Sequence, residues 1–314
     1  MSQSFSVYCL LFTVHGLRFT VRNPMRTIVH LSDLHFGRVD YVVRDVVVST
    51  VQALQPNAVV VSGDLTQRAR SHQFQEARQF LDSLPRPQIV VPGNHDVPLY
   101  NFFARFGRPL DRYRRFITDD MQPFYADDEV AIIGINTARS LTTKYGRINE
   151  SQIAGARERL CSLDNNVTKI VVTHHPFDLP ENHDEDDLLG RAQLAMTVLA
   201  ECGADVLLAG HLHIGHTGHT AVRYKIAGHS ALVVSAGTAT STRHRGEANS
   251  FNVIRINHPH IQVERMIWQP EAGAFTPAAA ENFQFSESGW KPVPAEAAAG
   301  FVFADESEVI TGDN

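Results

Sequence analysis

Five short polar clusters carry the chemistry that this sequence offers. They are Asp33-Leu34-His35, Gly63-Asp64, Gly93-Asn94-His95-Asp96, His174-His175 and Gly210-His211-Leu212-His213. Their donors are imidazole nitrogen, carboxylate oxygen and amide oxygen, with no thiolate among them. Such borderline-to-hard donors suit Mn, Fe, Zn, Co or Ni rather than an iron–sulfur cluster. They are too many for one tetrahedral zinc, whereas two divalent ions sharing a bridging carboxylate would use them all.

Each cluster directly follows an apolar run that reads as a strand. Thr27–Leu31 precedes Asp33 and His35, Ala58–Ser62 precedes Gly63-Asp64, and Gln88–Val91 precedes Gly93–Asp96. Lys169–Thr173 runs into His174-His175, and Val206–Ala209 runs into Gly210–His213. Val130–Ile135 is a strand without such an ending. Singly, each cluster has a bland account: Asp33 as a cap, Asp64 as a turn residue, a loop histidine as a solvated side chain. Together they occupy the place where α/β sheets bind ligands, beyond the carboxyl ends of the strands. Helical spans alternate with these strands at Tyr41–Leu54, Gln73–Leu84, Glu150–Leu163 and Leu188–Cys202, the last closed by Gly203. From Thr220 onward the chain reads as β only, at Ala221–Ile226, Ala231–Ser235, Phe251–Ile256 and Ile261–Trp268. The class is therefore α/β, with β-α-β units first and a run of strands last.

Composition sets the limits. With 314 residues, 43% hydrophobic and 20% charged, the chain can bury a sizeable core. Chain-wide disorder and a small disulfide-stapled fold are excluded. The 28 basic and 34 acidic residues give a net charge of −6, so there is no global basic footprint for duplex nucleic acid. The three cysteines, Cys9, Cys161 and Cys202, are odd in number and form no CxxC pair. They read as small core fillers in a reducing, cytoplasmic setting. No apolar run reaches the ~18–20 residues of a spanning helix, so no integral membrane segment is expected. Residues 1–24 read as an N-terminal extension or a miscalled start, because Met25 opens the first strand. Pro270, Pro292, Pro294, the alanines between them and scattered acids make 270–314 a flexible tail behind a domain spanning 25–269.

The ordered set of clusters resembles the signature of the calcineurin-like metallophosphoesterases: D-x-H, G-D, G-N-H-D, a later His, then G-H-x-H. The resemblance covers roughly residues 26–268. It implies a four-layer α-β-β-α sandwich, two mixed β-sheets flanked by helices, with a dinuclear metal site at the strand ends. It places Asp33, His35, Asp64 and His213 around one divalent ion. Asp64, Asn94, His174 and His211 surround the other, with Asp64 bridging. His95 would face the scissile phosphate, and Asp96 would fix the His95 ring or a neighbouring loop. The implied reaction is phosphoester hydrolysis by attack of a metal-bridging hydroxide. The segments HLSDLHFGR, HHPFDLP and SAGTATSTRHRGEANSFNVIRI resemble the bacterial branch related to class III cyclic nucleotide phosphodiesterases. The expected substrate is then a cyclic nucleotide or similar small diester. A nucleotide-sugar or lipid-linked pyrophosphatase, or a phosphomonoesterase, is the alternative within the family.

Other residues stand near the clusters. Arg38, Arg243, His244 and Arg245 are candidates for substrate contact, although each would serve equally as a solvated residue, and His175 is a candidate either for substrate contact or for supporting a ligand. The acidic stretch Glu181–Asp187 reads as an exposed loop near the cleft. Core packing accounts for Phe102, Phe103 and Phe106 better than an apolar lip does.

Overall fold

The five apolar runs that end in polar clusters all form parallel strands. The computed structural model describes residues 25–303 apart from 100, 101, 143, 181, 182, 221, 222, 225, 227, 228, 244, 245, 279, 299, 300 and 302. β1 (Arg26–Leu31), β2 (Ala58–Val61) and β3 (Gln88–Val90) lie parallel, joined by α1 (Tyr41–Leu54) and α2 (Ser71–Ser83). Two short helices, α3 (Phe102–Gly107) and α4 (Asp111–Phe116), lead to β4 (Phe124–Ala126) and β5 (Val130–Gly134). Then come α5 (Glu150–Leu160), β6 (Thr168–Val172), α6 (Ala192–Glu201), β7 (Val206–Ala209), β8 (His216–His219) and β9 (Leu232–Ser235). The chain returns through β10 (Ser250–Asn257), β11 (His260–Gln269), β12 (Ala274–Pro277), β13 (Glu281–Ser286), β14 (Gly289–Val293) and α7 (Ala295–Ala298).

These strands form two mixed sheets. One runs β14-β13-β11-β10-β1-β2-β3 with β12 on β11, and the other runs β4-β5-β6-β7-β9-β8. Side chains alternate across a strand, and the alternation divides the core into three layers of packing. Ile28, Val60 and Ile89 meet Ile132, Ile170 and Leu208 between the sheets. Val29, Val59 and Val61 face α1 and α2. Ile133, Val171 and Leu207 face α5 and α6. The result is the expected four-layer sandwich. The valine-rich α1 is a poor helix by propensity. Val43, Val47 and Val51 recur every four residues and are all buried, so tertiary packing overrides propensity. Asp40 caps it, its carboxylate accepting from the backbone N–H groups of Val42 and Val43.

Several expectations are corrected. The stretch after residue 269 is not a loose tail: β12, β13 and β14 extend the first sheet. Composition misled here because Pro292 sits on the edge strand, where a missing N–H costs least. Trp290 is 2% exposed and joins the layer between the sheets. Its indole N–H donates to Asp205 Oδ1 at 2.8 Å, tying β14 to the segment just before β7. Cys161 and Cys202 are not free thiols; they form a disulfide that joins the ends of α5 and α6. Cys9 and residues 1–24 lie outside the described residues. The strand expected at Ala221–Ile226 lies partly outside them too, and the strand that pairs antiparallel with β9 is His216–His219. α3 and α4 carried no clear periodicity, and α6 begins at Ala192 rather than Leu188. Among the described residues, no helix is long and apolar enough to cross a membrane.

The burial of Trp290 gives a direct test of the C-terminal hairpin. Trp290→Ala should cost about 3–5 kcal/mol in denaturant unfolding, as a large core aromatic does. A loss below about 1 kcal/mol would show that β13 and β14 do not close this core.

Candidate metal centre

The five clusters leave the carboxyl ends of β1, β2, β3, β6 and β7, and those after β1, β2 and β7 adopt conformations that side-chain-bearing residues seldom take. Asp33, His35, Asp64, His211 and His213 all have φ between 51° and 72°. Such left-handed backbone costs free energy at non-glycine residues and collects at functional sites. Backbone hydrogen bonds between the clusters hold it in place: Asp33 N–H to Gly63 O at 3.1 Å, His35 N–H to Asp64 O at 2.9 Å, and Gly210 N–H to His174 O at 3.1 Å. Two close approaches require glycine. A Cβ on Gly93 would overlap the Asp64 carboxylate, and one on Gly210 would overlap Ser32 and Asp33.

Two donor sets result, and Asp64 belongs to both. Asp33, His35, Asp64 and His213 are all buried, with ligand atoms within 4.8 Å of one another. His213 Nε2 lies 3.2 Å from Asp33 Oδ1, and His35 Nε2 lies 3.6 Å from Asp33 Oδ1 and 3.8 Å from Asp64 Oδ2. The other oxygen of Asp64 faces the second set. Asp64 Oδ1 is 3.5 Å from His174 Nε2, and Asn94 Oδ1 is 3.0 Å from His174 Nε2 and 3.1 Å from His211 Nδ1. Asp33 Oδ1 is buried without a hydrogen-bond partner. An orphaned carboxylate oxygen among converging imidazoles is costly unless a cation meets it. The donor set fits two divalent ions.

The electrostatics agree with that fit. Burial works to raise the Asp33 carboxyl, but His213, His174 and His35 outweigh it and hold the group well below the usual carboxylate range. Asp64 is lowered in the same way, burial being outweighed by His174, His95 and His35. Burial drives His35 down to about 3 and lowers His211 as well. His213 moves up: burial is opposed by Asp33 and Asp64 and loses. Ionised carboxylates and neutral imidazoles are the forms that bind metal, so Asp33, Asp64, His35 and His211 already favour the binding form, whereas His213 would have to give up its proton to the ion.

The far nitrogens of the rings are anchored. His174 Nδ1 donates to Ser62 O at 2.8 Å, and His213 Nδ1 donates to Arg243 O at 3.3 Å. His211 Nε2 faces Asp187 Oδ1 at 3.7 Å. Asp187 also contacts Lys144, and its carboxyl is held at about 2 by His211 first and by Lys144. Sequence reasoning missed Asp187, which sat in an acidic run expected to be exposed; it is 7% exposed. Its charge-run neighbours gave no signal that it alone turns inward.

The remaining candidates separate by position. His175 lies beside His174 and His211, but Nδ1 bonds Thr137 Oγ1 at 2.8 Å and Nε2 donates to Lys144 O at 2.8 Å. Both nitrogens are used and the ring is fully buried, which leaves Asn94 Oδ1, near both His174 and His211, better placed than His175 to complete the second set. The bonds to Thr137 and Lys144 fit the supporting role expected of His175 rather than contact with substrate. Asp96 holds a neighbouring loop, the second of the two roles expected of it. Its carboxylate accepts from Gly93 N, Leu65 N, Thr66 N and Thr66 Oγ1 at 2.8–3.1 Å, clamping the third cluster onto the second. Burial and Asp64 push that carboxyl up to about 7, against these donors. His95 does line the cleft. Nδ1 lies 3.0 Å from the Gln67 carbonyl and 3.2 Å from the Gln67 side-chain nitrogen, so Gln67 holds that side of the ring. Nε2 is turned to the centre, 4.0 Å from Asp64 Oδ2 and 3.0 Å from an Arg243 guanidinium nitrogen. Arg38 and Arg243 border the same cleft. His244 and Arg245 lie outside the described residues. Phe103 and Phe106 are exposed rather than packed in the core.

Comparison with known proteins places this geometry. The chain is 30% identical over 165 residues to the glycerophosphodiester phosphodiesterase GpdQ of Enterobacter lignolyticus (strain SCF1), covering 48% of this chain and 58% of that protein. It is 25% identical over 172 residues to the 3′,5′-cyclic adenosine monophosphate phosphodiesterase CpdA of Escherichia coli (strain K12), covering 52% of this chain and 59% of that one. The chain thus spans less than two thirds of the length of these relatives. The purple acid phosphatase PPD1 from yellow lupin (Lupinus luteus) seeds shares the fold, with a TM-score of 0.62 at 10% identity. That likeness covers 82% of this chain and 53% of the lupin protein. The family model for calcineurin-like phosphoesterases matches residues 26–215, more than half of the chain and all five clusters. By that match, the chain belongs to the calcineurin-like phosphoesterase family.

Proposed function

We propose that this protein is a dinuclear-metal phosphodiesterase acting on small diesters. The observation that carries this reading is Asp64, whose two oxygens each face a separate set of buried donors. Asp33, His35 and His213 would hold one divalent ion with Asp64, and Asn94, His174 and His211 the other. When bound, such a pair activates water at neutral pH and offsets charge developing on phosphoryl oxygens.

The protein's own groups do the rest. Ser62 O, Arg243 O and Asp187 orient three of the imidazoles, so the donor sets are built before anything binds. His95 presents Nε2 to the reacting group while Gln67 fixes its far side. Nε2 accepts from Arg243 in this structure; once protonated there, with Arg243 turned to substrate, His95 would donate to the leaving oxygen or to a phosphoryl oxygen. Asp96 keeps the loops carrying Asp64 and His95 in register without touching substrate. The diester preference draws support from the names of two relatives, a glycerophosphodiester phosphodiesterase and a cyclic adenosine monophosphate phosphodiesterase.

The test is a substrate panel on purified protein with metal content measured by elemental analysis. Cyclic AMP, cyclic GMP, a 2′,3′-cyclic nucleotide, a nucleotide-sugar pyrophosphate and the mono- and bis-p-nitrophenyl phosphates would be offered with and without manganese. Metal-dependent cleavage with the bis ester favoured over the mono ester is expected; clear preference for the mono ester would refute the diesterase reading. His95→Ala should retain metal and lose about 10²–10⁴-fold in turnover, most for poor leaving groups. Equal loss for good and poor leaving groups would argue against an acid role. Asp187→Asn should weaken metal affinity about 10–100-fold in a metal titration, with a single class of site affected. An unchanged titration would show that Asp187 does not support His211.

A further inference from the structure

A row of buried polar side chains crosses the layer between the sheets beside the metal centre. Asn252 on β10 stands opposite His30 on β1, and Ser62 follows β2 on the other side of His30. By the alternation along each strand, the three share the inward face of Ile254, Ile28 and Val60. All three are buried. Both ends of the row reach the second sheet. Asn252 Nδ2 donates to Ser235 O on β9 at 3.2 Å, and Ser62 O accepts from His174 Nδ1, just after β6, at 2.8 Å. Between them, His30 Nδ1 lies 3.5 Å from Asn252 Nδ2, and His30 Nε2 lies 2.9 Å from Ser62 Oγ.

These bonds fix where the protons stand. Ser235 O sets the Asn252 amide with its nitrogen toward the histidine, so His30 Nδ1 can only accept. The ring proton is then on Nε2, which donates to Ser62 Oγ. Burial drives His30 down to about 3, against the pull of Asp33, so the ring is neutral. Ser62 needs this hold because of the residue that follows it. Gly63 has φ 98°, and a Cβ there would overlap the His174 ring and Gly93 N. Only glycine fits, and glycine leaves the Ser62–Gly63 peptide freest to turn. That peptide carries the carbonyl that orients His174. Bonded polar partners can in general be exchanged for apolar groups of the same shape at little cost, so packing alone does not require this row.

Resting on the dinuclear reading, we propose that His30 and Asn252 are positioning residues for the second donor set: they hold Ser62 so that its carbonyl keeps the His174 proton on Nδ1 and leaves Nε2 free for an ion. Neither touches an ion or substrate. The stretch Ser235–Ile256 thereby enters the site from behind, through the Ser235 carbonyl and the Asn252 amide.

The test is a manganese titration of the purified protein, with the ions retained counted by elemental analysis. His30→Leu should weaken one of the two ions at least about tenfold, the usual effect of losing a group behind a metal-bound histidine, and leave the other unchanged. His30→Gln keeps an N–H donor toward Ser62 and should recover most of the loss. Asn252→Leu should weaken the same ion. Ser62→Ala removes the hydroxyl that His30 holds and should do so too, which keeps the test decisive if His30→Leu does not fold. Unchanged affinities, an equal fall for both ions, or His30→Gln as weak as His30→Leu would overturn the proposal. The His174 tautomer in metal-free protein, read from ring nitrogen NMR shifts and identified by their loss in His174→Gln, gives a readout independent of metal. Its proton should stand on Nδ1, and His30→Leu or Ser62→Ala should move part of the population to Nε2; an unmoved tautomer would also overturn the proposal. If the unaltered protein binds no pair of ions, the dinuclear reading fails, and the tautomer decides the positioning role alone.

Discussion

The structure is organised around one buried carboxylate that is shared between two groups of imidazoles. Asp64 is buried, sits in left-handed backbone, and turns its two oxygens toward different groups of imidazoles. An ionised carboxylate in that setting is expensive unless positive charge meets both oxygens. Every neighbouring device addresses that requirement. Gly93 leaves space for the carboxylate, His95 N–H donates to Asp64 Oδ1 at 2.8 Å, and Asp96 locks the two loops together.

Two sheets are needed because one cannot deliver all the donors. β1, β2 and β3 bring Asp33, His35, Asp64, Asn94 and His95, while β6 and β7 bring His174, His211 and His213. The apolar layer between the sheets fixes their separation, and close-packed interiors hold such distances firmly. The His174 N–H···O=C bond to Ser62 and the His211 N–H bond to Asp33 Oδ2 then couple the two sheets at the site itself.

Much of this was legible in the sequence, for a physical reason. Short runs of β-branched residues ending in Asp, His or Asn state both the element and the position of the polar group. The five clusters therefore pointed to one place, and the structure brings their side chains together there. What failed to show was whatever depends on tertiary contact alone. His174 and His175 are adjacent and chemically identical, and only the hydrogen bonds to Thr137 and Lys144 separate them. Asp187 stands in a run of acids, and its inward turn is set by Lys144 and His211. Cys161 and Cys202 are 41 residues apart and meet only because α5 packs on α6. The C-terminal strands were hidden by prolines and alanines, whose composition says little when pairing is on a sheet edge.

The pairing of β1 with β10 has a consequence for how the chain comes into being. β1 lies between β2 and β10, with Arg26 opposite Ile256 and His30 opposite Asn252. Strand partners more than two hundred residues apart make folding slow relative to local structure. During vectorial synthesis the first strand can pair with β2 early, yet its other edge stays uncovered until β10 has emerged. All five polar clusters are by then already made. The nascent chain thus carries its whole complement of metal donors on a sheet with one open, aggregation-prone edge. Early capture of a divalent ion by clusters from both sheets would draw those sheets together while that edge waits for its partner.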